Sequence, residues 1–492
     1  MVATAEEALR WVDRLYAQLD ARRPDVEKSF DYLEGKQPLA YATEQWRKFH
    51  AERYKGFADN WCGVVARSPV DRLRIDGITA SEGGSLAAEE RQLWRDLQVN
   101  DFDSQSKQGF LAATTAKRSF TLVWGDGNDE PVISWEHPAQ AIVAYDSTGR
   151  ARRAGLKAWF EDGWEYATLY LPSEVWKFRR PKGVAVTNGV TRNGLTVVGT
   201  STREMNSGGK WEPYQPQSDD TWPLANPLLL VPLVEWQNRP LLGQEPISDI
   251  AGTMAMQDAV NQMWAYLFSS ADHASMPARV ITGAEPPKAP ILDENGQVVG
   301  SRPAKLEDLA NGRFMYIKGD NAKIDQWDAA RLDVFTGVIT EAISHIAAQT
   351  STPGHYLLSN EKFANLNGDA LTAAETPLAK KVESAQEFYN APARETARLV
   401  ALVRDQAAFA DDLRAARIQW KDAAMHSLSQ VSDAAMKDRA VGISLHTVLE
   451  QRYGMSPEEI DREMQRIREE QADPVLMALA QGARDDAAAA DF

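Results

Sequence analysis

The chain has 492 residues, 43% of them hydrophobic, with a formal charge of −16 from 54 Lys and Arg against 70 Asp and Glu. Such a length can bury large cores and predicts roughly two to four domains. The acidic balance argues against a protein that reads or wraps duplex DNA through many phosphate contacts, but leaves room for brief contact through a local ring of basic groups. The single Cys62 excludes an intrachain disulfide framework and a paired-cysteine metal site.

The opening MVATAEEALRWVDRLYAQLD carries Glu6 and Glu7 and lacks the apolar core of a signal peptide, and PLLLVPLVEW at 227–236 is short and split by Pro232. A cytoplasmic chain with no membrane segment is expected. Leu9, Val12, Leu15, Tyr16 and Leu19 recur at helical spacing; Pro24 then opens a second predicted helix carrying Val26, Phe30 and Leu33 before Gly35. NWCGVVARSPVDRLRIDGI predicts a helix giving way near Pro69 to a short strand, with further helices over 84–99 and near 103–116. From 120 to 180, aromatic and β-branched runs separated by Gly, Asp and Asn turns predict strands of an antiparallel or mixed sheet. Residues 181–223 are expected to add strands and a flexible excursion near NSGGK.

The second half changes character. ISDIAGTMAMQDAVNQMWAYLFSSADH predicts a helix of about 27 residues, bringing Ile247, Ile250, Met254, Val260, Met263, Trp264 and Leu267 near one another. Pro277 opens a compact insertion, and a second long helix over 329–348 carries Leu332, Phe335, Ile339, Ile343 and Ile346. The irregular QTSTPGHYLLSNEKFANLNG follows; a connection of that length in a compact protein usually has a task. From 371 to 404 the apolar series Leu371, Leu378, Val382, Phe388, Leu399 and Val400 crosses Pro377 and Pro392, where kinks or short breaks are expected. Smaller helices end the chain. In MSPEEIDREMQRIREE, Ser456 can cap, Pro457 fits the first turn and Glu459 holds the reciprocal capping position. The tail ALAQGARDDAAAADF has little to bury and is expected to be mobile.

No catalytic constellation, cofactor or metal site emerges. The seven histidines are scattered, without HExxH or a zinc-like spacing. Glu341 and His345 read as a helix-surface pair, GDGNDE lacks the alternating ligands of a calcium loop, and SGGK lacks Walker spacing. Cys62, beside Trp61, reads as a buried structural thiol. The residues favour architecture over turnover.

The order of parts, a mixed α+β body, a long helix, an inserted module, a second long helix, an irregular loop and a broken helix, resembles the portal proteins of tailed double-stranded-DNA bacteriophages, of the siphophage and actinobacteriophage type. The likeness is sharpest in EPISDIAGTMAMQDAVNQMWAYLFSSADHASMPARVITG at 245–283 and NLNGDALTAAETPLAKKVESAQEFY at 365–389, with YLEGKQPL and NWCGVVARSPVDRLRIDGI supporting it. It implies a multidomain α+β fold: wing 1–245, first stem helix 246–275, clip 276–327, second stem helix 328–348, channel loop 349–369, kinked tunnel helix 370–404, wing return 405–425, crown 426–480 and mobile tail 481–492.

The resemblance further implies a closed ring of about twelve copies at one capsid vertex, through which genomic DNA is packaged and ejected. Expected partners are the large terminase subunit, a head-completion adaptor, major capsid or scaffold protein, and double-stranded DNA in non-specific transit. The protein would reside in the virion, and in the bacterial cytoplasm during assembly. Lys362, Lys380 and Lys381 are the basic candidates for the channel wall; equally, Lys380 and Lys381 can form local pairs with Glu383 or Glu387. Asn365, Asn367 and Asp369 would shape the loop or cap the helix, and Pro377 and Pro392 would kink it. Tyr316, Ile317 and Trp327 would be docking anchors of the clip or its internal core. The competing readings are a capsid-associated scaffold without a channel, a helical binding adaptor, or a nucleic-acid enzyme.

Overall fold

Thr4 opens the N-terminal helix α1 (Ala5–Glu34) with a reciprocal cap, in which the Glu7 amide donates to Thr4 Oγ1 and the Thr4 amide to the Glu7 carboxylate. Gly35 closes it in the left-handed region at φ 74°. The second helix expected from Pro24 onward is instead the continuation of the first. Pro24 is exposed, while Val12, Leu15, Leu19, Arg23 and Val26 form an unbroken buried stripe, so packing on both sides outweighs the roughly 3 kcal/mol a proline costs inside a helix. The structure is a computed structural model; it describes residues 4–37, 58–80, 88–128, 130–181, 190–192, 195–197, 209–215, 221–275, 279–282, 288–292, 297–303, 314–317, 323–326, 331–358, 368–424 and 428–469.

Helix α2 (Trp61–Val70), strand β1 (Ile75–Thr79) and helices α3 (Ala88–Val99) and α4 (Phe102–Ala116) lead into the strand-rich region. Here lie β2 (Arg118–Gly125), β3 (Pro131–Glu136), β4 (Ala141–Tyr145), β5 (Arg152–Glu161), β6 (Trp164–Tyr170) and β7 (Glu174–Pro181). Strands β4 to β7 form an antiparallel meander. Asp162 and Gly163, both at positive φ, make the two-residue turn between β5 and β6 that suits the strand twist. The short strands β8 (Val190–Arg192) and β9 (Leu195–Val197) pair with each other, whereas β10 (Glu212–Pro213) and β11 (Leu224–Ala225) both pair with β7. Helix α1 covers this sheet, with Leu15 and Leu19 in one apolar cluster with Leu156, Leu169, Trp176 and Phe178. A second sheet sets β2 between β3 and β12 (Leu233–Gln237).

The helix expected to begin at Ile247 starts at Met254, as α5 (Met254–Ser275). The seven residues before it are tied elsewhere: the Asp249 amide donates to Thr114 O at 2.9 Å and the Ser248 hydroxyl to Thr115 O at 2.6 Å. These bonds hold the segment against the end of α4. Helix α6 (Asp333–Thr350) shares an apolar cluster with α5 through Val260, Met263, Ile339, Ile343 and Ile346. Between the two helices, β13 (Arg279–Thr282) pairs parallel with β16 (Phe314–Ile317) and antiparallel with β17 (Lys323–Gln326), and β14 (Lys288–Leu292) pairs with β15 (Val298–Pro303). Tyr316 and Ile317 lie on β16, in register with Ile281 and Thr282; Trp327 is outside the described residues.

After the short helix α7 (Gly354–Leu357) comes α8 (Gly368–Val403), 36 residues without interruption. No break occurs at Pro377 or Pro392. The carbonyls that lose their helical donors belong to Ala373 and Phe388, both exposed residues where water can serve instead, while the buried series Leu378, Val382, Ala385, Tyr389, Ala393 and Ala397 continues past both prolines. Helix α9 (Ala407–Asp412) and a turn of 3-10 helix lead to β18 (Arg417–Trp420), which pairs antiparallel with β1. Helices α10 (Leu428–Val441) and α11 (Leu445–Gln451) precede a last helix over 457–469, capped as its sequence suggests: the Ser456 amide donates to the Glu459 carboxylate at 2.9 Å and the Glu459 amide to Ser456 Oγ at 3.3 Å. Among the described residues, no helix is long and apolar enough to cross a membrane.

Cys62 is buried, its Sγ 3.7 Å from Thr253 Oγ1, and burial pushes the thiol up to about 11. At pH 8 the native chain should therefore react with a thiol reagent over about a hundredfold more slowly than the urea-unfolded chain. Comparable rates in the two states would show that the thiol is accessible.

Candidate functional site

Helix α8 organises the molecule. At about 1.5 Å per residue, the stretch from Glu375 to Val403 spans roughly 40 Å, and polar anchors fix it along that length. Near its start, the Glu375 carboxylate pairs with Arg72, lies 2.7 Å from His355 Nε2 and accepts from the Tyr356 hydroxyl at 3.3 Å. Arg72 also donates to Tyr356 Oη at 2.9 Å and to Ala423 O at 3.0 Å. One carboxylate thus joins α8 to α7, to the turn before β1 and to the segment after β18.

Two turns further on, Lys381 Nζ lies 2.8 Å from Asp249 Oδ2 and donates to Thr350 O at 3.2 Å. The Asp249 carboxylate is 2% exposed and also accepts from Asn238 Nδ2 at 3.0 Å. Thr350 is the last residue of α6, so the ammonium sits at the negative end of that helix as well as beside a buried acid. Three segments converge on one cation: the approach to α5, the end of α6, and α8.

The middle of α8 enters an aromatic cluster. Tyr389 stacks on Phe110 with ring centroids 5.2 Å apart and an interplanar angle of 9°, and meets Trp236 edge-on at 5.7 Å; Trp135 and Trp420 complete the cluster around Phe110. Asn390 Oδ1 accepts from Trp420 Nε1 at 2.8 Å, and the hydroxyls of Thr396 and Thr121 bond at 2.8 Å beneath Trp236, whose Nε1 donates to Thr121 Oγ1. Just past the helix, Arg404 forks onto Asp96 of α3 at 3.0 and 2.6 Å. Of the sequence-derived candidates, then, Lys381 is held within the fold. Lys380 is 71% exposed and pairs with Glu383 at 2.6 Å, one of the local pairs foreseen for it. Asp369 lies in the first turn of α8; Lys362, Asn365 and Asn367 are outside the described residues.

The anchors Glu375, Asp249, Arg72 and Asp96 escape a reading of sequence alone, because their partners lie far along the chain and no short motif joins them. His345 and Glu341 form an exposed pair at 3.5 Å, as their spacing suggests. In GDGNDE, Asp126 Oδ1 accepts from the amides of Asn128 and Glu130, so this acid serves the turn itself. Among the described residues no group of three or more His, Cys, Asp or Glu could hold a metal ion. The geometry is that of a rigid spine with exposed helical faces, suited to fixing several segments in one orientation.

The family model described as Phage portal protein, SPP1 Gp6-like, matches residues 12–474. The chain belongs to that portal family. It is also 26% identical over 398 residues to the portal protein of Mycobacterium phage D29, covering 76% of this chain and 73% of that protein. Against the portal protein of Mycobacterium phage L5 the identity is 25% over 398 residues, covering 76% and 72%. The resemblance noticed in the order of elements is thus a family relationship, and the mixed α+β multidomain fold accords with it. Membership supports a general role in the DNA-packaging channel and a place among viral structural proteins.

Within this portal subunit, Lys380 and Lys381 differ despite adjacency. Replacing Lys380 with Ala should leave the melting midpoint of the subunit unchanged, because its partner is exposed and solvated. A large fall in scanning calorimetry would reveal a contact other than the Glu383 pair.

Proposed function

We propose that the chain assembles into a dodecameric channel at one capsid vertex, through which double-stranded DNA is packaged and later ejected, and which docks the large terminase subunit and afterwards a head-completion adaptor. Major capsid or scaffold protein would contact it during assembly. The family match along nearly the whole chain carries this reading. On it, α5 and α6 are the stem, the strands between them the clip, α8 the tunnel helix, β18 part of the wing return, and the helices from 428 onward the crown. The segment between α6 and α8 is the channel loop.

Two structural features support it. Val334 and Val338, one helical turn apart on α6, are 55% and 49% exposed, an apolar strip that a neighbouring stem would cover. Lys381, through Thr350, and Glu375, through His355 and Tyr356, tie the chain leaving α6 to α8, which would hold the start of the channel loop against the tunnel helix. Lys380, with its exposed ammonium, and Lys362 are the basic groups available for passing phosphate contacts; Lys381 contributes to holding the wall. The portal supplies passage and symmetry, and the motor's ATP hydrolysis belongs to its partner.

Negative-stain electron microscopy of the purified chain tests this directly. Class averages with twelvefold or nearby cyclic symmetry and an open centre are expected. Closed compact particles or non-ring dimers, at every protein and salt concentration, would instead favour a capsid-associated scaffold or a binding adaptor.

A further inference from the structure

One face of α1 does not pack against the sheet. Gln18, Ala21, Arg22, Asp25, Val26 and Ser29 follow one another at helical spacing along a cleft of about 500 Å³, whose opposite wall is Ala116, Lys117, Arg118 and Glu245. Arg22 reaches into it with Nη1 buried and without a hydrogen-bond partner, and Arg118 Nε is buried and unpaired in the same way. A buried guanidinium nitrogen without an acceptor is costly, so the arrangement asks for one.

Two of the nearby acids are already engaged. Glu235 Oε1 accepts from Arg118 Nη1 at 2.8 Å, and its Oε2 accepts from the Tyr145 hydroxyl at 3.0 Å and from Gln237 Nε2 at 3.0 Å. Glu245 pairs with Arg118 Nη2. Asp25 lines the cleft but forms no ion pair with Arg22, although it is only three residues away on the helix. Arg22, Lys117 and Arg118 line the cleft with Asp25 and Glu245, Glu235 and Glu245 are both taken by Arg118, and Arg22 Nη1 is left buried with no acid on it. Burial, with the like charge of Arg118 adding to it, pushes the Arg22 guanidinium down to about 10, the electrostatic counterpart of the missing partner.

We propose that this cleft is a carboxylate-recognition site, filled by an acidic side chain on the facing surface of a second copy of this chain. The inference rests on the ring reading above. Its volume is many times the roughly 30 Å³ of one water, which suits a protruding segment of polypeptide better than a free ion. A planar guanidinium takes a carboxylate with two parallel hydrogen bonds, giving direction as well as attraction. The chain carries 70 Asp and Glu against 54 Lys and Arg, so an exposed acid is what a copy most readily offers. In a ring the interface is heterologous, and each copy presents to its neighbour a surface different from the one it receives. A cleft holding an unpartnered guanidinium nitrogen on one side and an exposed acid on the other would satisfy that requirement.

The test uses the full chain and follows ring assembly by mass photometry and negative-stain microscopy, at low and high salt. Arg22→Gln removes the charge, Lys117→Glu reverses the rim without touching Arg22, and Arg22→Lys keeps the charge. Both charge-altering variants should raise the protomer concentration for half-assembly by about tenfold or more, with Arg22→Lys closer to the wild type. Circular dichroism of the unassembled subunits should be the same for all four proteins. Wild-type-like rings in both charge-altering variants would overturn the cleft's role and leave the ring intact. A wild type that never forms rings would overturn the ring reading and remove the cleft's partner with it. Inorganic phosphate that raises the melting midpoint of wild type but not of Arg22→Gln, with assembly unaffected, would reassign the cleft to a small free oxyanion.

Discussion

Replacing Lys381 with Met is expected to destabilise the isolated subunit by about 3 kcal/mol. Methionine preserves most of the aliphatic packing, so the loss reports on the charge. Asp249, 2% exposed, would be left with Asn238 Nδ2 at 3.0 Å and with Arg239 at 3.7 Å, a residue half exposed to solvent. Thr350 O would lose a donor at the end of its helix. The double variant with Asp249→Asn decides the cause. Since the penalty comes chiefly from an acid buried without its counter-charge, adding Asp249→Asn to Lys381→Met should recover a large part of it in denaturant unfolding. Strictly additive losses would mean that the two residues contribute separately and that the ion pair is not what joins α8 to the approach of α5.

The second large effect runs against helix propensity. Gly109 lies inside α4, where alanine is the better helix former by about 1 kcal/mol. A Cβ built there would fall 1.9 Å from Cε3 and 2.1 Å from Cζ3 of Trp135. That ring cannot readily move aside, because it packs against Phe102, Phe110 and Trp236 in the cluster that receives Tyr389. Overpacking of this kind costs about 1–3 kcal/mol, and the rigidity of the cluster places Gly109→Ala at the upper end. The net result should be a lower unfolding midpoint, with altered tryptophan fluorescence in the folded state. A more stable Gly109→Ala variant would show that the cluster yields without cost.

How much could be read beforehand follows from the range of each interaction. The meander from Ala141 to Pro181 was legible because alternation and turn residues are local signals, as was the Ser456 and Glu459 cap. Pro24 misled where tertiary packing decided, and the chain stays helical through Pro377 and Pro392 as well. Pro24, Pro377 and Pro392 each remove one donor, but the buried stripes beside them run on, and no local rule weighs those stripes against a lost hydrogen bond. The start of α5 was misplaced for the opposite reason: Ile247 and Ile250 fit a helical pattern, yet Ser248 and Asp249 are bound to the end of α4. The adjacent lysines at 380 and 381 could not be separated by sequence, since only the fold places Asp249 beside one of them. Arg22 gave no signal at all, because an unpaired cation is visible only when its surroundings are.

The pairing of β1 with β18 bears on the order in which the subunit comes into being. Ile78 is in register with Ile418, about 340 residues later. At a synthesis rate of about 5–20 residues per second, β1 waits roughly 17 to 70 seconds on the ribosome for its partner strand. During that interval the aromatic cluster also lacks Tyr389 and Trp420, so the growing chain carries an apolar groove shaped for its own later helix. A nascent portal subunit is consequently unable to close the pairing of β1 with β18 until most of its chain has been made. Ribosome-bound chains stopped before Arg417 should therefore bind a chaperone that completed chains do not, and the fold itself times the entry of each copy into assembly.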